Sequence, residues 1–354
     1  MIILGIETSC DETALCLLET RDKDGVFECR ILGNIVNSQI DLHKEYGGVF
    51  PALAKREHIR NLPILFGQIK KDSGITEDKI EAVAVTHGPG LEPALWTGVD
   101  FARELSRKLS IPLIPVNHME GHIVSTLITS SVPHDDFRAL QPTAFPAIAV
   151  LISGGHTEIV KIEKLGSYSI LGRTKDDAIG EAFDKVARML GLPYPGGPMI
   201  SKLAERARAK NIPQTITLPR PMIHSKDLNM SFSGLKTSVL YLLKEKGEPN
   251  EIFKMEIARE FEDSVTEVLV TKVRRALEEN ECSSLLVGGG VIANAHIRVA
   301  FEQLAGEYDI PLYLPARGLT GDNAVMIALA GALDAKKNFP SISAQGNLSL
   351  ETRF

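Results

Sequence analysis

A strand, polar turn, strand pattern occurs twice in this chain of 354 residues, about 145 residues apart. In the first copy Ile3-Leu4-Gly5-Ile6 runs into Glu7-Thr8-Ser9-Cys10-Asp11-Glu12-Thr13, and Ala14-Leu15-Cys16-Leu17-Leu18 returns as a second strand. In the second copy Ala147-Ile148-Ala149-Val150-Leu151-Ile152 leads into Ser153-Gly154-Gly155-His156-Thr157, then Glu158-Ile159-Val160-Lys161-Ile162. A later pair repeats as well: Ala82-Val83-Ala84-Val85 precedes Thr86-His87-Gly88-Pro89-Gly90, and Ser284-Leu285-Leu286-Val287 precedes Gly288-Gly289-Gly290. Each half thus reads as a β-hairpin with a polar tip, followed by a strand that ends in a glycine turn before a helix. This repetition predicts a duplicated α/β fold of two lobes, with a nucleotide cleft lined by both tips. A tip of small polar residues can wrap an anion with N–H groups and hydroxyls, or can be a plain turn. The expected division is residues 1–130 plus about 311–354 for the N-terminal lobe and about 146–310 for the C-terminal lobe. Residues 131–145, which lack periodicity, read as a linker.

Length suits two domains, and a hydrophobic fraction of 44% is ordinary for a globular chain. No apolar run is long enough to span a bilayer, so no membrane association is expected. The strand-like run begins at Met1, which predicts no leader ahead of the fold and a cytoplasmic location. Cys10, Cys16, Cys29 and Cys282 contain no Cys-x-x-Cys pair, which argues against a disulfide framework or a cysteine zinc site. A net charge of −6 supplies no global attraction for nucleic acid. A nucleic-acid partner would need a local basic patch or another subunit.

The apolar run Ile111–Val116 reads as a buried strand, and 122–129 reads as a helix. Between them lies His118-Met119-Glu120-Gly121-His122. Two histidines four apart on a helix share a face and suit one metal, although helix-start histidines can also merely cap. Glu120 is offset from the position a zincin or an inverted zincin requires, so a peptidase base is not in place. The periodicity predicts a helix over 176–190 with Ala178, Ile179, Ala182, Phe183, Val186 and Leu190 buried. Asp177, Gly180 and Asp184 would then share another face, where a glycine between two aspartates suggests room for a ribose diol. A solvated acidic face is the alternative. Gly88-Pro89-Gly90-Leu91 precedes a helix to Leu109 whose first amides could face an anion, and Gly288–Asn294 could admit an adenine against bare backbone. Lys236 and Arg220 are candidates for phosphate contact. Asp322, at the start of the final apolar helix, reads by default as its N-cap. No P-loop spacing occurs.

Taken in order, these segments resemble the tRNA N6-adenosine threonylcarbamoyltransferase (TsaD) family, in its bacterial form. The resemblance is carried by Gly5–Thr13, Gly88–Leu91, His118–His122, Ser153–Thr157 and Gly180–Asp184. It continues through Tyr194–Gly197, Ser231–Thr237, Gly289–Val291 with Asn294, and Asp322-Asn323. It implies an actin/Hsp70/sugar-kinase-like (ASKHA) fold and transfer of threonylcarbamoyl from threonylcarbamoyl-AMP to N6 of adenosine 37 in tRNAs that read codons beginning with A. It implies that His118, His122 and Asp322 bind one metal ion, Fe(2+) or Zn(2+), overriding the capping default for Asp322. Leu151, Ile152, Ser153, Gly154, Gly155, Asp184, Gly197 and Asn294 would hold the adenylate, and ATP-like nucleotides could occupy the same cleft. Archaeal and eukaryotic cytosolic relatives carry a tyrosine ligand just before the Ser-Gly-Gly turn and an asparagine after it; here Leu151 and His156 stand there. Implied partners are tRNA, a degenerate TsaB-like paralogue as heterodimer partner and a small TsaE-like P-loop ATPase.

The chemistry is coherent. The adenosine N6 lone pair is delocalised into the ring, so attack needs an activated carbonyl, and Asp11 or Glu12 could take the N6 proton. Three rival readings remain at this level: a metallopeptidase, an ASKHA-type small-molecule kinase that leaves the histidine pair idle, and a non-catalytic scaffold.

Overall fold

The computed structural model describes residues 1–128, 136–141, 145–335, 337, 339 and 341–352. Chain contacts divide it into two compact units, Met1–Thr143 with Leu314–Phe354, and Ala144–Tyr313. Of the stretch expected as a linker, residues 131–135 and 142–144 lie outside the described residues.

Unit 1 begins with β1 (Ile2–Glu7), β2 (Glu12–Lys23) and β3 (Val26–Ser38), a short α1 (Ile40–His43) and the long α2 (Pro51–Ser73). It continues with β4 (Ala82–Gly88), α3 (Glu92–Leu109), β5 (Leu113–Asn117), α4 (His118–Thr126) and the two-residue edge strand β6 (Arg138–Ala139). The sheet order is β5-β4-β1-β2-β3-β6, with β1, β4 and β5 parallel and the remaining pairings antiparallel. Arg138 and Ala139, in the expected linker, pair with Cys29 and Glu28 of β3.

Unit 2 holds β7 (Ala147–Ile152), β8 (Thr157–Lys164), β9 (Ser167–Arg173), α5 (Ile179–Met189), α6 (Gly196–Ala209), α7 (Ser233–Lys246) and α8 (Glu251–Glu279). It ends with β10 (Ser284–Gly288), α9 (Ala295–Glu307) and β11 (Leu312–Tyr313). Its sheet order is β11-β10-β7-β8-β9. Numbered within each unit, both sheets run third, second, first, fourth, fifth, with the first hairpin antiparallel and the fourth and fifth strands parallel to the first. The duplication expected from the two hairpins is therefore present down to strand order. The chain returns to unit 1 with α10 (Ala324–Asp334).

Strand alternation explains how unit 1 is layered. Leu4 and Ile6 of β1, Leu15 and Leu17 of β2, and Val83 and Val85 of β4 bury one face against Leu62, Leu65 and Phe66 of α2 and Val99 of α3. The opposite face receives α10, and at two points only a hydrogen atom fits between sheet and helix. A Cβ on Gly5 would run into the carbonyl oxygen of Ala324 and come within 2.8 Å of Ala328. A Cβ on Gly331 would collide with Ala84. This close seating fixes where the chain enters α10, and hence where Asp322 lies.

Two helix starts differ from the sequence expectation. The helix expected over 122–129 begins at His118, because Asn117 caps it by accepting from Met119 N–H at 2.9 Å; residue 129 lies outside the described residues. The helix expected from Asp176 begins at Ile179. Asp176 instead accepts from Phe232 N–H at 2.8 Å and Ser231 Oγ at 2.6 Å, and Asp177 receives Lys185 at 2.8 Å and Lys236 at 3.1 Å. Asp177 is thus not on one helical face with Gly180 and Asp184. No helix among the described residues is long and apolar enough to cross a membrane.

Gly5→Ala should destabilise unit 1 by about 3 kcal/mol, the upper end of overpacking costs, because the obstacle is backbone that cannot change rotamer. Urea unfolding should show the midpoint fall without a change in the slope.

Candidate active site

The parallel strands of unit 1 end side by side, and their carboxyl ends carry the polar residues, as is usual for open α/β sheets. β1 ends at Glu7, β4 carries Thr86, and β5 passes directly into α4 at His118. Starting the helix at His118 puts His118 and His122 on its first two turns, with ring centroids 4.8 Å apart and nearly perpendicular. Asp322 reaches both: its Oδ1 is 3.4 Å from His118 Nε2 and 3.2 Å from His122 Nε2. Asp322 does not cap α10; Asn323 does, accepting from Met326 N–H at 3.1 Å. The capping default for Asp322 is thereby corrected, and its carboxylate is left to face the histidines.

The three side chains offer ligand atoms within 4.8 Å of one another. Two nitrogens and a carboxylate oxygen form a donor set for one divalent ion. The histidines are buried while the Asp322 side chain is 21% exposed, so the cluster has one open side. His122 Nδ1 is buried with no hydrogen-bond partner among the described residues. Burial alone would lower the pKa of His118, but the carboxylates of Asp322 and Glu7 overcome it and hold the pKa well above its ordinary value. Burial likewise opposes ionisation of Asp322, and His118 then His122 hold its pKa well below the usual carboxylate range. A site that holds a proton this firmly between two carboxylates is suited to a cation, and these residues fit a metal ion.

The first hairpin tip is fastened at successive residues. Glu7 accepts from Thr86 Oγ1 at 2.6 Å, Thr8 Oγ1 donates to Ala94 O at 3.1 Å, and Ser9 O accepts from Leu91 N–H at 2.7 Å. His58 of α2 meets Cys10 O with Nε2 at 3.0 Å and Thr13 Oγ1 with Nδ1 at 2.8 Å, and Asp11 O accepts from Gln39 N–H at 3.0 Å. Of the groups by which the tip could have wrapped an anion, Ser9 N–H and the Thr8 hydroxyl are engaged internally; the Ser9 hydroxyl lies 3.2 Å from His118 Nδ1. What this rigid tip presents is Asp11 and Glu12. Asp11 is 6% exposed, and its Oδ2 has no hydrogen-bond partner among the described residues. Burial, then the neighbouring charges of Asp11 and Asp322, raise the Glu12 carboxyl to about 9.

Unit 2 contains a cavity of about 570 Å³ lined by Gly154, Gly180, Asp184, Gly197 and Asn294, together with Gly290 and Val291. Asp184 also receives Gly196 N–H at 2.6 Å, and the Asn294 amide donates to Glu262 at 2.6 Å while its oxygen caps α9 through Ile297 N–H at 3.0 Å. Leu151 and Ile152 are buried in β7 and, like Ser153, do not line this cavity; Gly155 borders a separate hollow of about 370 Å³ with His156, Arg173 and Lys175. Gly180 is close to the hairpin itself: a Cβ there would come within 2.8 Å of Gly154 Cα and Ser153 O. Gly180 thus both seats the β7–β8 tip and, with Asp184, lines the cavity, so the room read from that glycine is shared between backbone and cavity. Lys202 and Glu205 of α6 also line the cavity, and no motif marked them. Of the two candidate phosphate cations, Lys236 pairs with Asp177, and Arg220 with Glu260 and Glu267.

Residues 30–329 match the family model described as TsaD, tRNA N6-adenosine threonylcarbamoyltransferase. The chain belongs to that family. It is 46% identical over 343 residues to the tRNA N6-adenosine threonylcarbamoyltransferase of Polynucleobacter asymbioticus, covering 94% of this chain and 92% of that protein. The TsaD relative of Thermosipho africanus is 44% identical over 343 residues, covering 97% of each chain. Among solved structures, component A of (R)-2-hydroxyglutaryl-CoA dehydratase from Acidaminococcus fermentans superposes with a TM-score of 0.53 at 12% identity, covering 95% of this chain and all of that one. HypF of T. kodakarensis gives 0.57 at 14%, covering 94% of this chain and 48% of that chain. These likenesses, with the repeated sheet order, establish the duplicated ASKHA-type α/β fold.

The tip clamp has a consequence for acid stability. Burial pushes the His58 pKa below 6.5, and the Cys10 carbonyl only partly offsets this. The unfolded chain therefore binds a proton that the folded chain refuses, so stability present above about pH 6.5 is lost as pH falls toward the lowered folded value. Urea unfolding between pH 7.5 and 5 should show a slope shallower in His58→Gln than in the parent by up to about 1.4 kcal/mol per pH unit.

Proposed function

We propose that this chain transfers the threonylcarbamoyl group of threonylcarbamoyl-AMP to N6 of adenosine 37 in tRNA, with His118, His122 and Asp322 holding one Fe(2+) or Zn(2+). The observation that carries the reading is the cluster of two buried histidines, His118 and His122, with half-buried Asp322 in a member of the TsaD family. When bound, such an ion supplies Lewis-acid polarisation of the threonylcarbamoyl carbonyl and offsets its developing negative charge.

The remaining work falls to the chain's own groups. The cavity of unit 2 takes the adenylate, with Asp184 and Asn294 as polar residues on its wall and Gly154, Gly197 and Gly290 allowing approach to bare backbone. N6 attacks the carbamoyl carbon, the bond from that carbon to the phosphate oxygen breaks, and AMP leaves with the electron pair. The N6 proton goes to Asp11. Asp11 Oδ2 is unpartnered among the described residues, whereas burial and the charges of Asp11 and Asp322 raise the Glu12 carboxyl. This favours Asp11 as the base, with Glu12 ordering the tip. A tRNA substrate supports a cytoplasmic location. Family resemblance adds a TsaB-like paralogue and a TsaE-like ATPase as partners, and α2 exposes Ile59 and Ile64, an apolar surface that a partner could cover.

A reaction reconstituted with threonylcarbamoyl-AMP, substrate tRNA and the partner subunits should yield N6-threonylcarbamoyladenosine by nucleoside mass spectrometry. The His118→Ala/His122→Ala variant should lose metal and product together. Asp11→Asn should keep its metal but lose about 100-fold or more in rate, the usual contribution of a general base. Product formation undiminished in the histidine variant would overturn the metal role, and no product from the intact protein would overturn the transferase reading.

A further inference from the structure

We infer that Glu7 is a positioning residue for the metal centre: its carboxylate fixes the proton of His118 on Nδ1, leaving the Nε2 lone pair aimed at the ion. This rests on reading His118, His122 and Asp322 as a metal site. β1 is otherwise apolar from Ile2 to Ile6, and Glu7 ends it with a carboxylate that is 0% exposed. An ionised carboxylate so placed persists only when donors surround it. Three do. Ser9 N–H donates to Oε1 at 2.5 Å, Thr86 Oγ1 donates to Oε2 at 2.6 Å, and His118 Nδ1 lies 3.0 Å from Oε2. The carboxylate thus ties together the ends of β1, β4 and β5, three neighbours in the sheet.

The direction of the third bond follows from the chemistry of the partners. A carboxylate can only accept, so Nδ1 of His118 is the donor. A neutral imidazole that donates through Nδ1 keeps its lone pair on Nε2. That nitrogen lies 3.4 Å from Asp322 Oδ1, itself an acceptor, so the pair is favourable with a proton between the two atoms or with a metal ion in its place. A carboxylate behind the ring also raises the ligand's basicity and fixes its plane. His122 has no such backing: its Nδ1 lacks a partner among the described residues. The two histidines are therefore unequal: His118 is held from both sides of its ring, and His122 only through Nε2 and its helix.

Glu7→Gln keeps size and shape but gives one acceptor where two are needed. Whichever way the amide turns, its NH₂ meets a donor, either Ser9 N–H or the Thr86 and His118 pair. The test loads the isotope-labelled protein with Zn(2+) and records long-range proton–nitrogen NMR of the histidine rings, alongside Zn(2+) affinity by competition with a chromophoric chelator. The intact protein should coordinate through His118 Nε2 and keep a slowly exchanging Nδ1 proton. Glu7→Gln should bind Zn(2+) about 10–100-fold more weakly, with faster exchange of that proton. A merely structural role for Glu7 would lower the unfolding midpoint without altering the ring signature. Coordination of the intact protein through His118 Nδ1, or an affinity within twofold of the parent in folded Glu7→Gln, would overturn the inference. Should Glu7→Gln fail to fold, the spectrum of the intact protein decides alone. An intact protein that takes up no Zn(2+) at these residues would instead remove the metal reading on which the inference stands.

Discussion

Buried charge that must find partners organises unit 1. Glu7 and His118 sit buried where β1 and β5 end, and Asp322 meets His118 from the segment before α10. Isolated, each would cost several kcal/mol, so their positions are tied to one another. The carboxylate of Glu7 draws in Ser9, Thr86 and His118, and this bond set aligns the ends of β1, β4 and β5. The first hairpin tip is fixed as a by-product: with Ser9 N–H held by Glu7 and Cys10 O by His58, Asp11 and Glu12 have little freedom to move. A site that gains its rigidity from buried polar bonds needs no reorganisation when charge develops in a reaction.

Unit 2 repeats the same strand order with a different chemical outcome. Where the first hairpin ends in Glu-Thr-Ser-Cys-Asp, the second ends in Ser-Gly-Gly-His, and bare backbone replaces the carboxylates. Gly154 lines the cavity, and a Cβ on Gly155 would meet nothing within 4 Å, while Gly180 lets the tip settle onto α5. A surface of exposed amides and small residues suits a phosphate-bearing ligand, and one of buried carboxylates and imidazoles suits a cation. One architecture, duplicated, thus supplies two kinds of site through the composition of a few turn residues.

What could be read from the chain follows from how far apart the interacting residues are. Hairpins, glycine turns and the buried stripe of α5 are local patterns, and they appear as expected. His118 and His122 are likewise visible as a pair because a helix brings residues four apart together. Their third companion lies 200 residues away at Asp322. Nothing local marks it, and only resemblance to a family supplied it. Asp177 misled for the same reason: Ser231, Phe232 and Lys236, distant in sequence, claim Asp176 and Asp177 and delay the helix, while Gly180 both seats the hairpin tip and lines the cavity. Glu7 did carry a local signal, a lone acid closing an apolar strand, but its partners Thr86 on β4 and His118 at the start of α4 were not legible.

The reach of the cluster to so distant a carboxylate ties the proposed metal site to completion of unit 1. Asp322 belongs to the segment by which the chain returns after building unit 2. It reaches His118 and His122 only if α10 docks on β1 and β4, where Gly5 and Gly331 leave room for no more than hydrogen atoms. Any side chain at those two positions would lift the helix and carry the carboxylate away from the histidines, although neither glycine touches the cluster. The two histidines, both on α4, would then be left with an incomplete donor set beside the charged Glu7. The seating of α10 and the composition of the cluster are therefore one constraint: the helix that closes the core of unit 1 also brings Asp322 to the histidine pair.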